Sequence, residues 1–134
     1  MGNSYITHAN WPVNSAKPYF IKASRCLLEK FPELIHGITA TAPGFYGPQG
    51  RALRLIPAIE DLHDKMETFS YKKNKICNFE METSALYYLG QTLGHNTLTI
   101  CAIIGNRLTK KYSDDYKRTI EKMINLVLNR ICQQ

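Results

Sequence analysis

Three short segments of this 134-residue chain carry residue types that can do chemistry together. The first is Gly44-Phe45-Tyr46-Gly47-Pro48-Gln49-Gly50-Arg51. A glutamine amide holds one acceptor and two donors in a plane, and an arginine holds a planar fork of donors. The edge of a uracil ring offers an acceptor, a donor and an acceptor in a row. Gln49 can satisfy N3–H and O2 of such a ring while Arg51 donates to O4, with Phe45 stacked on or flanking it. On composition alone the segment also reads as a glycine-rich surface loop. The second segment is Asn78-Phe79-Glu80-Met81-Glu82-Thr83-Ser84. A carboxylate accepts two hydrogen bonds side by side, which suits the vicinal hydroxyls of a ribose. Beneath the sugar it also favours the positive charge of an oxocarbenium-like transition state, over an apolar floor that Met81 can supply. Acidic residues are equally at home at the positive end of a starting helix. The third is Arg107, placed either to reach a ligand or to face solvent.

These residues need elements that bring them together. Residues 1–14 are polar and broken by Trp11-Pro12, and read as irregular. Phe20, Ala23, Leu27 and Leu28 recur on one face of a helix expected over 18–30, which Phe31-Pro32 ends. An Ile- and Thr-rich strand follows over 35–42. Three glycines and two prolines make 43–50 a loop. A helix is expected over 57–69, with Ile59, Leu62, Met66 and Phe69 on a face, then a short strand over 75–79. The next helix, 81–94, stops at a glycine. The run 97–104 is almost wholly apolar, as in a strand buried on both faces. Ser113-Asp114-Asp115 then caps a long helix whose stripe holds Ile120, Met123, Ile124, Val127, Leu128 and Ile131. Alternating helices and strands imply an α/β fold, a three-layer sandwich around a mostly parallel sheet. Ligands gather at the carboxyl ends of strands in such sheets, so the 43–51 loop, the 79–83 turn and Gly105-Asn106-Arg107 can share one site.

Composition narrows the function classes. The hydrophobic share of 44% suits a globular domain, and no apolar run approaches the roughly 20 residues of a membrane span. The opening residues lack a basic region followed by an apolar one, so a cytoplasmic protein is expected. The net charge of +6 is scattered over separate lysine and arginine groups with no nucleic-acid-binding motif, and a solvated surface is the plain reading. Cys26, Cys77, Cys101 and Cys132 are far apart, show no zinc or disulfide spacing, and read as reduced core or near-core residues. His8, His36, His63 and His95 fall in no recognisable motif and are expected in solvent or core roles.

The order and spacing of Gly37-Ile38-Thr39, Phe45 through Arg51, Asn78 through Leu86 and Ile103-Ile104-Gly105-Asn106-Arg107 resemble the uridine phosphorylases of the nucleoside phosphorylase superfamily. The resemblance runs from about Trp11 onward. The Phe-Glu-Met-Glu motif is that of the superfamily, and the Gln-x-Arg pair points to uracil. It implies that Phe45, Gln49 and Arg51 bind uracil, and that Glu80, Met81 and Glu82 attend the ribose. Glu82 and Arg107 would be catalytic, Arg107 stabilising negative charge on the departing base. It further implies reversible phosphorolysis of uridine to uracil and ribose 1-phosphate. Phosphate would be the co-substrate, with no metal, no organic cofactor and no membrane or nucleic-acid partner. The assembly would be a homo-oligomer, a hexamer when complete. Family members are about twice as long, beyond the usual size of one domain. They also carry Gly-Asp-Pro-x-Arg and Gly-Thr-x-Gly-Gly motifs, neither of which occurs here. The chain is therefore expected to be the C-terminal part of such a domain, truncated at its N-terminus and without the phosphate site. A nucleoside-binding remnant without turnover, or a purine phosphorylase or hydrolase, are the alternatives. Purine sites of the superfamily usually carry an aspartate after the last core strand, where this chain reads Gly105-Asn106-Arg107 with no acid.

Overall fold

A computed structural model describes residues 1–107 and 109–132. Its central element is a small mixed sheet. Strands β1 (Ile38–Thr41) and β3 (Asn74–Glu80) run parallel, and β2 (Ser70–Tyr71) pairs antiparallel with β3, giving the order β1-β3-β2. The parallel register joins Ile38 to Ile76 and then Thr39 to Asn78, Ala40 to Phe79 and Thr41 to Glu80. One residue of β3 is skipped between the first two pairs, a bulge that resets the alternation of faces. Ile76 and Phe79, an odd number of residues apart, can therefore both join Ile38 and Ala40 against the same core. On the opposite face Thr39 donates its hydroxyl to Asn78 at 2.7 Å.

The core lies under that apolar face. Tyr5, Ala9, Ile59, Leu62, Met66 and Phe69 are buried together, with Trp11, Phe20, Ile38, Ala40, Ile76 and Phe79 packed around them. The amino-terminal residues are thus not irregular throughout. Helix α1 (Gly2–His8) puts Tyr5 edge-on to Phe69 at 5.0 Å between ring centres, and Ala9 is fully buried. Burial of two residues one turn apart shapes this helix, without a longer apolar periodicity. The expected helix over 18–30 shrinks to α2 (Arg25–Leu28). Upstream of it Phe20 turns into the core beside Tyr5, while Tyr19 hydrogen-bonds Ser84 at 3.0 Å. The helix over 57–69 is realised as α3 (Leu62–Thr68), with Leu62 and Met66 as its buried pair.

Helix α4 (Thr83–Thr92) stops as its sequence requires. Gly94 adopts a left-handed φ of 76°, His95 N–H returns to Gly90 at 2.7 Å and Gly94 N–H to Gln91 at 3.3 Å, a Schellman motif. Strands β4 (Gly105–Asn106) and β5 (Lys111–Tyr112) form a two-stranded ribbon. It leads to α5 (Tyr116–Cys132), where Asp115 accepts the Arg118 N–H at 3.1 Å as a cap.

The expectation for 97–104 fails. Among the described residues no strand pairs with it, and its hydrogen bonds go to isolated groups. Thr97 exchanges bonds with Ser24, Thr99 N–H reaches the Tyr87 hydroxyl at 2.8 Å, and Ile104 C=O takes Ser113 N–H. A ladder needs a neighbour with a free row of backbone groups, and none is presented here. Ile103 and Ile104 remain 56% and 50% exposed. The cysteines are corrected too: all four are free and exposed. The total accessible surface is 10353 Å², against about 7,100 Å² for a compact monomer of 15.3 kDa. Much apolar surface that the sequence marks as interior stays uncovered.

Candidate functional site

The two parallel strands end side by side, and both functional loops leave from there. Ala42 N–H adds one bond to the Glu80 carbonyl at 3.0 Å before the chain turns away. The loop then winds through a single 3₁₀ turn at Gly47–Gln49. Gly50 follows at φ 74°, and a side chain there would also meet His63 Nε2 at 3.1 Å, so glycine is required twice over. This tight turn folds Gln49 inward until it is 2% exposed.

Gln49 is the hub. Its Oε1 accepts from Arg51 Nη1 at 2.9 Å and also from Arg107 Nη2. Arg107 Nη1 reaches the Gln49 carbonyl at 3.4 Å as well. Both guanidinium groups lie over aromatic rings, Arg51 3.9 Å from the centre of Phe45 and Arg107 5.2 Å from that of Phe79. Such cation–π contacts hold a planar cation in place while leaving donors free. Burial, and then the charge of Arg51, lower the Arg107 pKa. Two cations that share one neutral oxygen make an electron-poor cluster. It suits a ring with carbonyl oxygens, above all one that gains negative charge.

The carboxylates sit at the adjoining turn and divide the work. Glu80 ends β3, and its Oε2 accepts the backbone N–H of Glu82 at 2.7 Å and of Thr83 at 2.6 Å. Its other oxygen takes the Thr41 hydroxyl, which in turn accepts Ser84 N–H at 3.1 Å. Burial pushes the Glu80 pKa up, but these hydrogen bonds outweigh it and the net shift is downward. Glu80 is thus consumed in holding the turn and the start of α4. Glu82 is exposed, and among the described residues its Oε2 takes only the Met81 N–H, at 3.2 Å. It remains open to a ligand, with Met81 exposed beside it.

The structure therefore brings Phe45, Gln49, Arg51 and Arg107 into one contact cluster. Residues 80–82 follow directly on Phe79, on which Arg107 rests. Sequence reasoning gave no role to three participants. Phe79 and Thr41 hold Arg107 and Glu80, and His63 of α3 stands edge-on to Phe79 at 6.3 Å. Nothing in the sequence marks His63, because it belongs to no motif and flanks the apolar stripe of its helix.

This constellation at the carboxyl ends of two parallel strands coincides with a family assignment. Residues 7–132 match the phosphorylase superfamily. The chain belongs to that superfamily. No curated protein and no solved structure matches the chain. Membership of this phosphorylase superfamily brings nucleoside phosphorylase-type chemistry, a glycosyl transfer that takes nucleoside and phosphate as substrates. Within this superfamily member, no helix among the described residues is long and apolar enough to cross a membrane. Among the same residues no three His, Cys, Asp or Glu side chains gather as metal ligands do.

Proposed function

We propose that this superfamily member cleaves uridine, with the Gln49 cluster reading uracil and the 80–82 turn holding the ribose. The observation that carries the reading is the pair of arginines converging on one buried glutamine amide. In the free protein Gln49 Oε1 is filled by both guanidinium groups. Entry of the base draws Arg51 to uracil O4, which frees Oε1 for N3–H while the Gln49 amide nitrogen donates to O2. Phe45, 52% exposed, then flanks the ring.

Glu82 receives the ribose hydroxyls, and Met81 lies under the sugar. Glu80 attends the ribose indirectly, because its oxygens already hold the turn. A phosphate oxygen attacks C1′ as the bond from C1′ to N1 breaks. The electron pair leaves with uracil and spreads onto its carbonyl oxygens, where Arg107 and Arg51 offset it. The uracil anion then takes a proton from water. Glu82 offsets the positive charge at the sugar on the way. Neither a metal nor an organic cofactor enters these steps, and phosphate is a co-substrate for which no residue of this chain is assigned. A cytoplasmic homo-oligomer, a hexamer, and a three-layer sandwich belong to the same proposal.

The test is phosphate-dependent base release from uridine and from inosine, alongside binding of each. Uridine should be favoured by about 10⁴-fold, because a purine leaves the buried donors and acceptors unpaired. Equal or faster release from inosine would overturn the uracil reading in favour of a purine phosphorylase. Uridine binding without release would make the chain a nucleoside-binding protein.

A further inference from the structure

We propose that His63 is a positioning residue for base recognition, acting as a neutral ring that keeps both arginines gathered on Gln49. The inference rests on the uracil reading of that cluster and adds a control to it. His63 is half-buried, on α3, an element that supplies no other residue to the site. Its ring stands at 76° to Phe79, the same ring on which the Arg107 guanidinium rests. Its Nε2 would touch any side chain at residue 50, so the imidazole fills the space under the left-handed turn that tucks Gln49 inward. One ring thus braces the aromatic seat of Arg107 and the backbone of the hub.

Charge decides the rest. The groups that act on His63 are Arg107, Arg51, the backbone of Gln49 and, on its own helix, Asp64. Burial first, and then the two arginines, hold its pKa below the usual imidazole range against the opposing pull of the Gln49 backbone and Asp64. At neutral pH the ring is uncharged and adds nothing to the cations around it. Protonation places a third positive charge in a cluster whose shared acceptor is a neutral amide. The arginines are the mobile partners, so repulsion drives one of them away from the cluster, out of reach of the base, and the site loses a donor. Base recognition then weakens as pH falls through the lowered His63 pKa.

The experiment follows uracil binding by calorimetry, and the arginine side-chain N–H signals by ¹⁵N NMR, from about pH 7.5 down to pH 5 around the ordinary imidazole value. Wild type should lose at least about tenfold in affinity between the neutral and the protonated His63, followed on its own ring signals, with the Arg51 and Arg107 signals broadening in step. His63→Gln, which keeps a polar planar group without a titration, should bind at neutral pH within about threefold of wild type and show a flat profile. His63→Lys should bind as weakly at neutral pH as wild type does in acid. A profile that still falls in His63→Gln overturns the proposal, as does full-strength binding by His63→Lys. If uracil fails to bind at any pH while the arginine signals still follow His63, the uracil reading is lost and the positioning role stands.

Discussion

Helices α3 and α5 carry opposite lessons. The longer, α5, has 17 residues and a clear apolar stripe, yet none of its residues is buried. The shorter, α3, has 7 residues and buries Leu62 and Met66. What anchors α3 is the cluster beside it, where Phe69 meets Tyr5 from the far end of the sequence and His8 bonds to Lys65 and Thr68. α5 is held more loosely: Ile120, Met123 and Val127 are half-buried and Arg130 pairs with Glu33 at 2.8 Å, yet Ile124, Leu128 and Ile131 stay 47%, 53% and 51% exposed. The functional cluster follows the anchored helix. α3 delivers His63 to the site, while α5 sends no residue there. Length and amphipathicity make a helix, but contacts from elsewhere in the chain decide whether it positions chemistry.

The largest effect should come from the site. Glu82→Gln is expected to lower turnover of uridine about 10²- to 10³-fold while uracil affinity changes little, because the sugar contact strengthens in the transition state. Steady-state kinetics with separate base-binding measurements check this, and unchanged turnover would remove Glu82 from the mechanism. Next comes the packed helix. Met66→Ala should cost about 2–5 kcal/mol in denaturant unfolding, since it opens a hole in the core that holds α3. It should also weaken base binding, because His63 rides on the same helix.

Glu80→Gln should cost about 1–2 kcal/mol at neutral pH by weakening the charge-assisted bonds to Glu82 and Thr83 N–H. The pH dependence sharpens that case. A carboxyl whose folded pKa is lowered contributes stability in full above its unfolded value and loses it as pH falls through the folded one. Wild type should therefore lose stability below about pH 4.5, and Glu80→Gln should flatten that part of the curve. The smallest effect is the sharpest test of the contrast. Leu128→Ala on the exposed stripe should change stability by less than about 0.5 kcal/mol in dilute solution. A loss above about 2 kcal/mol would show that the stripe is covered, and the difference between the helices would vanish.

The sequence by itself supplied residue types. Gln49, Arg51 and Glu82 stood out because hydrogen-bonding capacity belongs to the residue wherever it lies, while the base and sugar roles, and any role for Arg107, came from the resemblance. The strand segments β1 and β3, the glycine stop of α4 and the Asp115 cap of α5 were also legible, since each rests on local backbone preferences. Tertiary structure alone decided the rest. It split the carboxylates, locking Glu80 to Thr41 and leaving Glu82 open, which depends on a register that neither motif contains. It made a helix of residues 2–8 by burying Tyr5 against Phe69, and it recruited His63 through the bend at Gly50. It also left 97–104 without a ladder, since an apolar run states a need for neighbours and cannot supply them.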